Sequence, residues 1–214
     1  MKQDELGAGI VAVAQAIDRA GFCPSKSGNV SARTEAGFLI TPSGLPYAQT
    51  TPADLIHLSL GGSVVSGGRK PSSEWPFHAA IYQARPEAQA IVHTHSPRAT
   101  ALSCTRRGIP AFHYMIALCG GADVRCADYA TFGTPELAEN AVRALEGRKA
   151  VLLANHGVIA LGGSLAGAHQ IAAEVENLAG QYLDLLAAGL EPVILDEAEM
   201  ARVSAKFAGY GKVG

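Results

Sequence analysis

His93 and His95 stand two apart in the β-branched run Ala90-Ile91-Val92-His93-Thr94-His95. In an extended strand alternate side chains share a face, so both imidazoles can reach one cation. A third imidazole, His156, sits in an Asn155-His156-Gly157 break between two apolar runs, where Gly157 is expected to let the backbone bend and aim the ring. Three neutral imidazoles from neighbouring strand ends suit Zn²⁺ and leave coordination positions open for a substrate, as catalytic zinc requires. Mn²⁺, Fe²⁺ or Co²⁺ would also accept such a site. Glu74 follows Ser72-Ser73 at the start of a helical pattern. There its carboxylate could act as a helix cap, as a ligand or as a proton carrier beside the metal.

Four short segments rich in hydroxyls and glycine, Gly28-Asn29, Ser43-Gly44, Ser72 and Ser73, have the composition of an anion nest. Without a lysine of their own they suit a phosphate monoester, and each also has the composition of an ordinary turn. Lys26, Lys70, Lys149, Lys206 and Lys212 lie in polar settings, not the desolvated surroundings that lower an amine pKa for imine catalysis. His57, His78, His113 and His169 are read as structural, since only Glu74 and His78 share an i,i+4 spacing. The cysteines Cys23, Cys104, Cys119 and Cys126 show no CxxC pairing and are read as packing residues with reduced thiols, as in a cytoplasm.

These residues need elements to hold them. Leu6, Ile10, Val13 and Ile17 recur at helical spacing in the first segment, where the preceding acids argue against a signal peptide. SKSGNVS reads as a turn, followed by strands at 38–41 and 55–58 and by a Gly-flanked hairpin strand at Val64-Val65. A helix follows Glu74, with Pro76 in its first turn and Pro86 past its end. A strand spans 90–95, a short helix runs from Pro97 to Leu102, and 109–118 reads as extended. The Gly-rich stretch 119–134 reads as a functional loop, because so long a connection is unusual in a compact domain. A helix from Thr134 to Leu145, strands at 150–154 and 158–161, a long helix capped by Ser164 and a final helix near 197–207 complete the chain. Strands and helices mix without βαβ alternation, which predicts an α/β fold of three layers around a mainly antiparallel, mixed sheet and disfavours a doubly wound dinucleotide fold.

The chain has 214 residues, 48% hydrophobic and 17% charged, a balance suited to one globular domain over 1–214. At this length folding buries about 70% of the unfolded chain's surface, so no metal is needed to hold the core. A net charge of −2 excludes a protein that works by neutralising a nucleic-acid backbone. No run approaches the roughly 18 apolar residues of a membrane span.

Together the strings SGNVSAR from Ser27, LITPSGLPY from Leu39, KPSSEWPFH from Lys70, IVHTH from Ile91, IPAFHYMIA from Ile109, CADYATFGT from Cys126, LLANHG from Leu152 and KFAGYG from Lys206 resemble the class II aldolase and adducin head-domain family over nearly the whole chain. They are most similar to its members that cleave L-fuculose 1-phosphate. The resemblance implies zinc held by His93, His95 and His156, with Glu74 both completing the coordination and carrying a proton to the enediol carbon. It implies a phosphate pocket of Gly28, Asn29, Ser43, Gly44, Ser72 and Ser73. It also implies an aldehyde end lined by Phe132, Phe207 and Tyr210, with Tyr114 reaching in from an adjoining subunit of a homotetramer. The implied reaction is reversible cleavage of a sugar phosphate, a ketose 1-phosphate, to dihydroxyacetone phosphate and an aldehyde. Ser43 replaces a threonine, and Asn155 a histidine, of the fuculose-cleaving members, which leaves the aldehyde half open. An epimerase or decarboxylase of sugar or keto-acid phosphates, and an adducin-like interaction module, are the alternatives within the same family.

Overall fold

The computed structural model describes residues 3–209. Eight strands form one sheet in the order β4-β3-β2-β1-β5-β8-β7-β6. They are β1 (Asn29–Thr34), β2 (Gly37–Ile40), β3 (Ile56–Leu58), β4 (Val64–Ser66), β5 (Ala90–Thr94), β6 (Arg125–Ala127), β7 (Ala150–Leu153) and β8 (Gly157–Gly162). Every adjacent pair is antiparallel except β6 with β7. The helices are α1 (Gln3–Arg19), α2 (Trp75–Ala84), α3 (Pro97–Ser103), α4 (Pro135–Ala144), α5 (Leu165–Ala187) and α6 (Glu197–Gly209).

Period-two alternation divides the central strands between two cores. Ala90, Val92, Leu152, Val158 and Ala160 pack under α1, α3 and α5, whereas Ile91, Val151, Leu153, Ile159 and Leu161 pack under α2 and α4. Because both faces are covered, β5, β7 and β8 are buried at every position and read as continuous apolar runs. The result is the three-layer, mainly antiparallel α/β architecture expected. Thr134 and Ser164 cap α4 and α5 by accepting from the amides of Leu137 and Gly167. Among the described residues no helix is long and apolar enough to cross a membrane.

Three local expectations are corrected. The end of SKSGNVS is not turn but the first half of β1, whose Asn29 and Ser31 are buried polar residues at positions where apolar ones would mark a strand. Within 109–118 only Ile109 makes a strand-like bridge, to Val124; Tyr114–Cys119 closes into a 3₁₀ helix whose Met115 amide donates to the His113 ring. The loop 119–134 contains β6, which pairs in parallel with β7 at the sheet edge. Tyr210 lies outside the described residues.

Ile91, fully buried between β1 and β8, tests the core under α2. Ile91→Ala should lower the unfolding free energy by about 2–5 kcal/mol in a denaturant titration; a loss under about 1 kcal/mol would contradict this packing.

Candidate metal centre

The site gathers where β5, the β7–β8 turn and the start of α2 meet. Asn29 and His93 are directly opposite in the β1–β5 ladder, so their side chains emerge on the same face, under α2. His93 is fully buried with its ring edge-on to Phe77 of α2. His95 follows β5, its amide bonded to the Phe22 carbonyl.

His156 is aimed by the β7–β8 turn, though not as expected. Asn155, not Gly157, takes the left-handed conformation, at φ 56°, and its amide donates to the Ser103 carbonyl at the end of α3. Gly157 is needed for closeness: a Cβ there would lie 2.3 Å from the Thr94 carbonyl oxygen. Gly28 has the same role at the start of β1, where a Cβ would meet Cys23 Sγ at 2.4 Å and the His93 carbonyl oxygen at 2.7 Å. The Tyr47 hydroxyl clamps the same residue, accepting from the Gly28 amide at 3.1 Å and donating to its carbonyl.

Glu74 occupies the N-cap position of α2, yet its side chain makes no capping bond. The carboxylate instead turns inward. Its Oε2 lies 3.1 Å from His93 Nε2, and its Oε1 lies 2.9 Å from His156 Nε2. His93 Nε2 and His95 Nε2 are 2.9 Å apart. One ligand atom from each of Glu74, His93, His95 and His156 can be chosen so that all four fall within 4.8 Å of one another.

This arrangement has the donor chemistry of a metal site. His93 Nδ1 lies 2.8 Å from the Val158 carbonyl, which only accepts, so Nδ1 carries the proton and the neutral ring presents a bare lone pair at Nε2. That lone pair faces an acceptor oxygen of Glu74. Oε1 of the same carboxylate is buried with no aligned hydrogen-bond donor. One proton could reconcile one such pair; four atoms converging on one point call for a cation, and three nitrogens with one oxygen fit a divalent ion. Burial, followed by the neighbouring His93 and His156, pushes the His95 ring down to about 3, so it has no proton to expel before binding a metal. Burial pushes the Glu74 carboxyl up, whereas positive charge at the His93 and His156 positions holds it well below the usual carboxylate range, the charge a bound cation would bring.

A cavity of about 300 Å³ opens above this cluster. Gly28, Asn29, Ser43, Gly44, Ser72, Ser73 and Phe132 all line it with Glu74, His95 and His156. His93 lies beneath. Part of the wall was not anticipated: Lys26 lines the same cavity, its ammonium 3.4 Å from the Gly44 carbonyl oxygen, and Tyr129 and Asn155 join Phe132. The Asn29 side chain is already engaged, donating from Nδ2 to Glu74 Oε2 at 2.9 Å. Tyr114 and Phe207 do not line this cavity. They share a separate apolar groove with Phe112 and Val203, their rings stacked at 6.4 Å, and Tyr114 is 51% exposed.

His95→Ala should strip the protein of stoichiometric metal when measured by plasma mass spectrometry after dialysis, while the fold persists by circular dichroism. Full metal occupancy in that variant would remove His95 from the ligand set.

The likeness to known proteins runs the length of the fold. Residues 8–183 match the family model described as class II aldolase and adducin N-terminal domain. A 5-methylthioribulose-1-phosphate/5-deoxyribulose-1-phosphate aldolase of Rhodospirillum rubrum is 49% identical over 203 residues, covering 95% of this chain and 91% of that one. An L-fuculose phosphate aldolase of Escherichia coli strain K12 is 44% identical over 211 residues, 99% of this chain and 98% of its own. A solved L-fuculose 1-phosphate aldolase superposes with a TM-score of 0.91 at 41% identity, covering 95% of this chain and 96% of that one. A fold, a cavity and a ligand cluster that agree with a family match across 8–183 lead to one conclusion: this chain belongs to the class II aldolase and adducin family.

Proposed function

We propose that this protein is a zinc-dependent aldolase that reversibly cleaves a ketose 1-phosphate to dihydroxyacetone phosphate and an aldehyde. One observation carries the reading: the Glu74, His93, His95 and His156 cluster opens into the same cavity as three hydroxyl- and glycine-rich segments and a lysine. A cation bound by those four residues supplies the positive charge that offsets negative charge building on the ketose oxygens as the C3–C4 bond breaks.

The remaining tasks fall to side chains of this chain. Ser43-Gly44, Ser72-Ser73 and the Gly28-Asn29 backbone hold the phosphate, and Lys26 adds the charge that those segments lack. Lys26 is exposed and anchored to the Gly44 carbonyl, which suits a phosphate contact and not an imine-forming amine. Glu74 carries the proton to and from the enediol carbon, because it is the carboxylate of the ligand cluster and also lines the cavity. Tyr129 and Phe132 flank the aldehyde end. Such apolar contacts separate substrates by only about 1–3 kcal/mol per methylene. The candidate substrates are therefore L-fuculose 1-phosphate, 5-deoxyribulose 1-phosphate and 5-methylthioribulose 1-phosphate, the last two matching the Rhodospirillum rubrum relative's name. The presence of all four ligand residues favours this reading over an interaction module, which needs no metal.

Tyr114 assists at the C4 hydroxyl from a neighbouring subunit of a homotetramer. It travels with Phe207 in one groove outside its own chain's cavity, so the two would arrive together in the neighbour's site.

Coupling triose-phosphate release to NADH oxidation across those three substrates tests the reaction, since an epimerase or decarboxylase liberates no dihydroxyacetone phosphate. At least one should be cleaved; release from none of them would overturn the reading. Glu74→Gln should lower turnover by about 10²- to 10⁴-fold, and near-normal cleavage would reject its proton-carrying role. Co-expressed Glu74→Gln and Tyr114→Phe chains should recover activity that neither has alone. No recovery would rule out a site shared between subunits.

A further inference from the structure

Behind Glu74 lies a line of buried polar side chains that the reaction as described does not use. Asn29 Nδ2 donates to Glu74 Oε2, and Asn29 Oδ1 meets His78 Nε2. His78 Nδ1 lies 2.7 Å from Ser31 Oγ, which lies 2.8 Å from the Tyr82 hydroxyl. His78 and Tyr82 are i,i+4 on α2, and Asn29 and Ser31 are i,i+2 on β1, so the line runs between helix and sheet. His78, Ser31 and Tyr82 have at most 1% of their surface exposed, and Asn29 has 2%.

The chemistry of the last acceptor sets the direction of every bond in the line. A carboxylate only accepts, so Asn29 must turn its NH₂ toward Glu74 and its carbonyl toward His78. An amide carbonyl also only accepts, so His78 must bring a proton on Nε2. The ring lies between Phe77 and Phe38, its centroid 4.7 and 6.5 Å from theirs, and burial pushes its pKa down to about 3. A neutral ring with Nε2 protonated has a bare Nδ1, which accepts from Ser31. Ser31 then accepts from Tyr82. Reversing any one bond would set two acceptors or two donors against each other in a dry interior, where such a mismatch costs most.

We propose that His78 is a positioning residue: as a neutral ring protonated on Nε2, oriented by Ser31 and Tyr82, it locks the Asn29 amide and thereby keeps Glu74 Oε2 supplied with a donor in a single orientation. If Asn29 were free to flip, its carbonyl would face the carboxylate, which would swing away from the imidazoles. The functional part of this inference rests on the role proposed for Glu74; the hydrogen-bond direction does not.

The direction is measured on metal-free wild-type protein, with no substrate, by long-range ¹H–¹⁵N correlation of the histidine rings at pH 7. His78 should show a protonated Nε2 and a bare Nδ1. An Nδ1–H tautomer, or a doubly protonated ring, would overturn the chain of bonds and would leave the cleavage assay untouched, so the two failures are distinguishable. The consequence is read in kinetics. His78→Phe keeps the aromatic packing but removes the donor, and should lower kcat by about 10- to 100-fold, the usual cost of losing a partner that orients a ligand, with KM within about twofold. His78→Gln, whose amide nitrogen can take the place of Nε2, should recover most of the loss. Equal losses in the Phe and Gln variants, or a rise in KM with kcat intact, would overturn the positioning role.

Discussion

Four acceptor-bearing groups pointed at one spot in a buried pocket form the constraint on which the rest of this molecule turns. His93 gives its only proton to a backbone carbonyl, and Glu74, a carboxylate, has none to give. Left without a positive charge between them they would repel. The sheet register, the close-approach glycines and the strained Asn155 turn are all spent on bringing these groups together, at a cost the two apolar cores can carry. A divalent cation between the four groups would relieve that repulsion, which is why the cluster is compatible with one.

The same logic organises the polar residues around the cluster. The His93 tautomer is fixed by Val158, the Asn155 turn is tied to the end of α3, and Gly28 is gripped by Tyr47. Two backbone carbonyls and one side-chain hydroxyl beyond the cluster thus fix the tautomer of one ring and the path of the chain beside the others. The cavity adds a wall of hydroxyl- and glycine-rich segments with one cation, Lys26, and an aromatic flank of Tyr129 and Phe132. Tyr114 and Phe207 line a separate apolar groove outside that cavity.

Much of this was legible in the sequence. His93 and His95 announce themselves because strand alternation guarantees a shared face, and His156 because it interrupts two apolar runs. The helices with Thr134 and Ser164 caps are equally plain, since a hydroxyl before a helical period has few other uses. What stayed hidden follows a pattern. β1 reads as a turn because its inward positions, Asn29 and Ser31, are polar to serve the site rather than the core. Glu74 looks like a helix cap, and spacing alone cannot say that its side chain turns inward. His78 looked structural because its partners lie on a strand far away in sequence, and Lys26 looked like a surface lysine because its left-handed backbone is invisible until the loop is folded. Contacts of long sequence separation, more than local propensity, decide these cases.

X-ray absorption at the metal edge of the purified wild-type protein tests the central claim most directly. The account predicts a divalent ion, zinc, with about three imidazole nitrogens at roughly 2.0–2.1 Å and oxygen completing the shell. Sulfur at roughly 2.3 Å, or a shell without imidazole scattering, would contradict it.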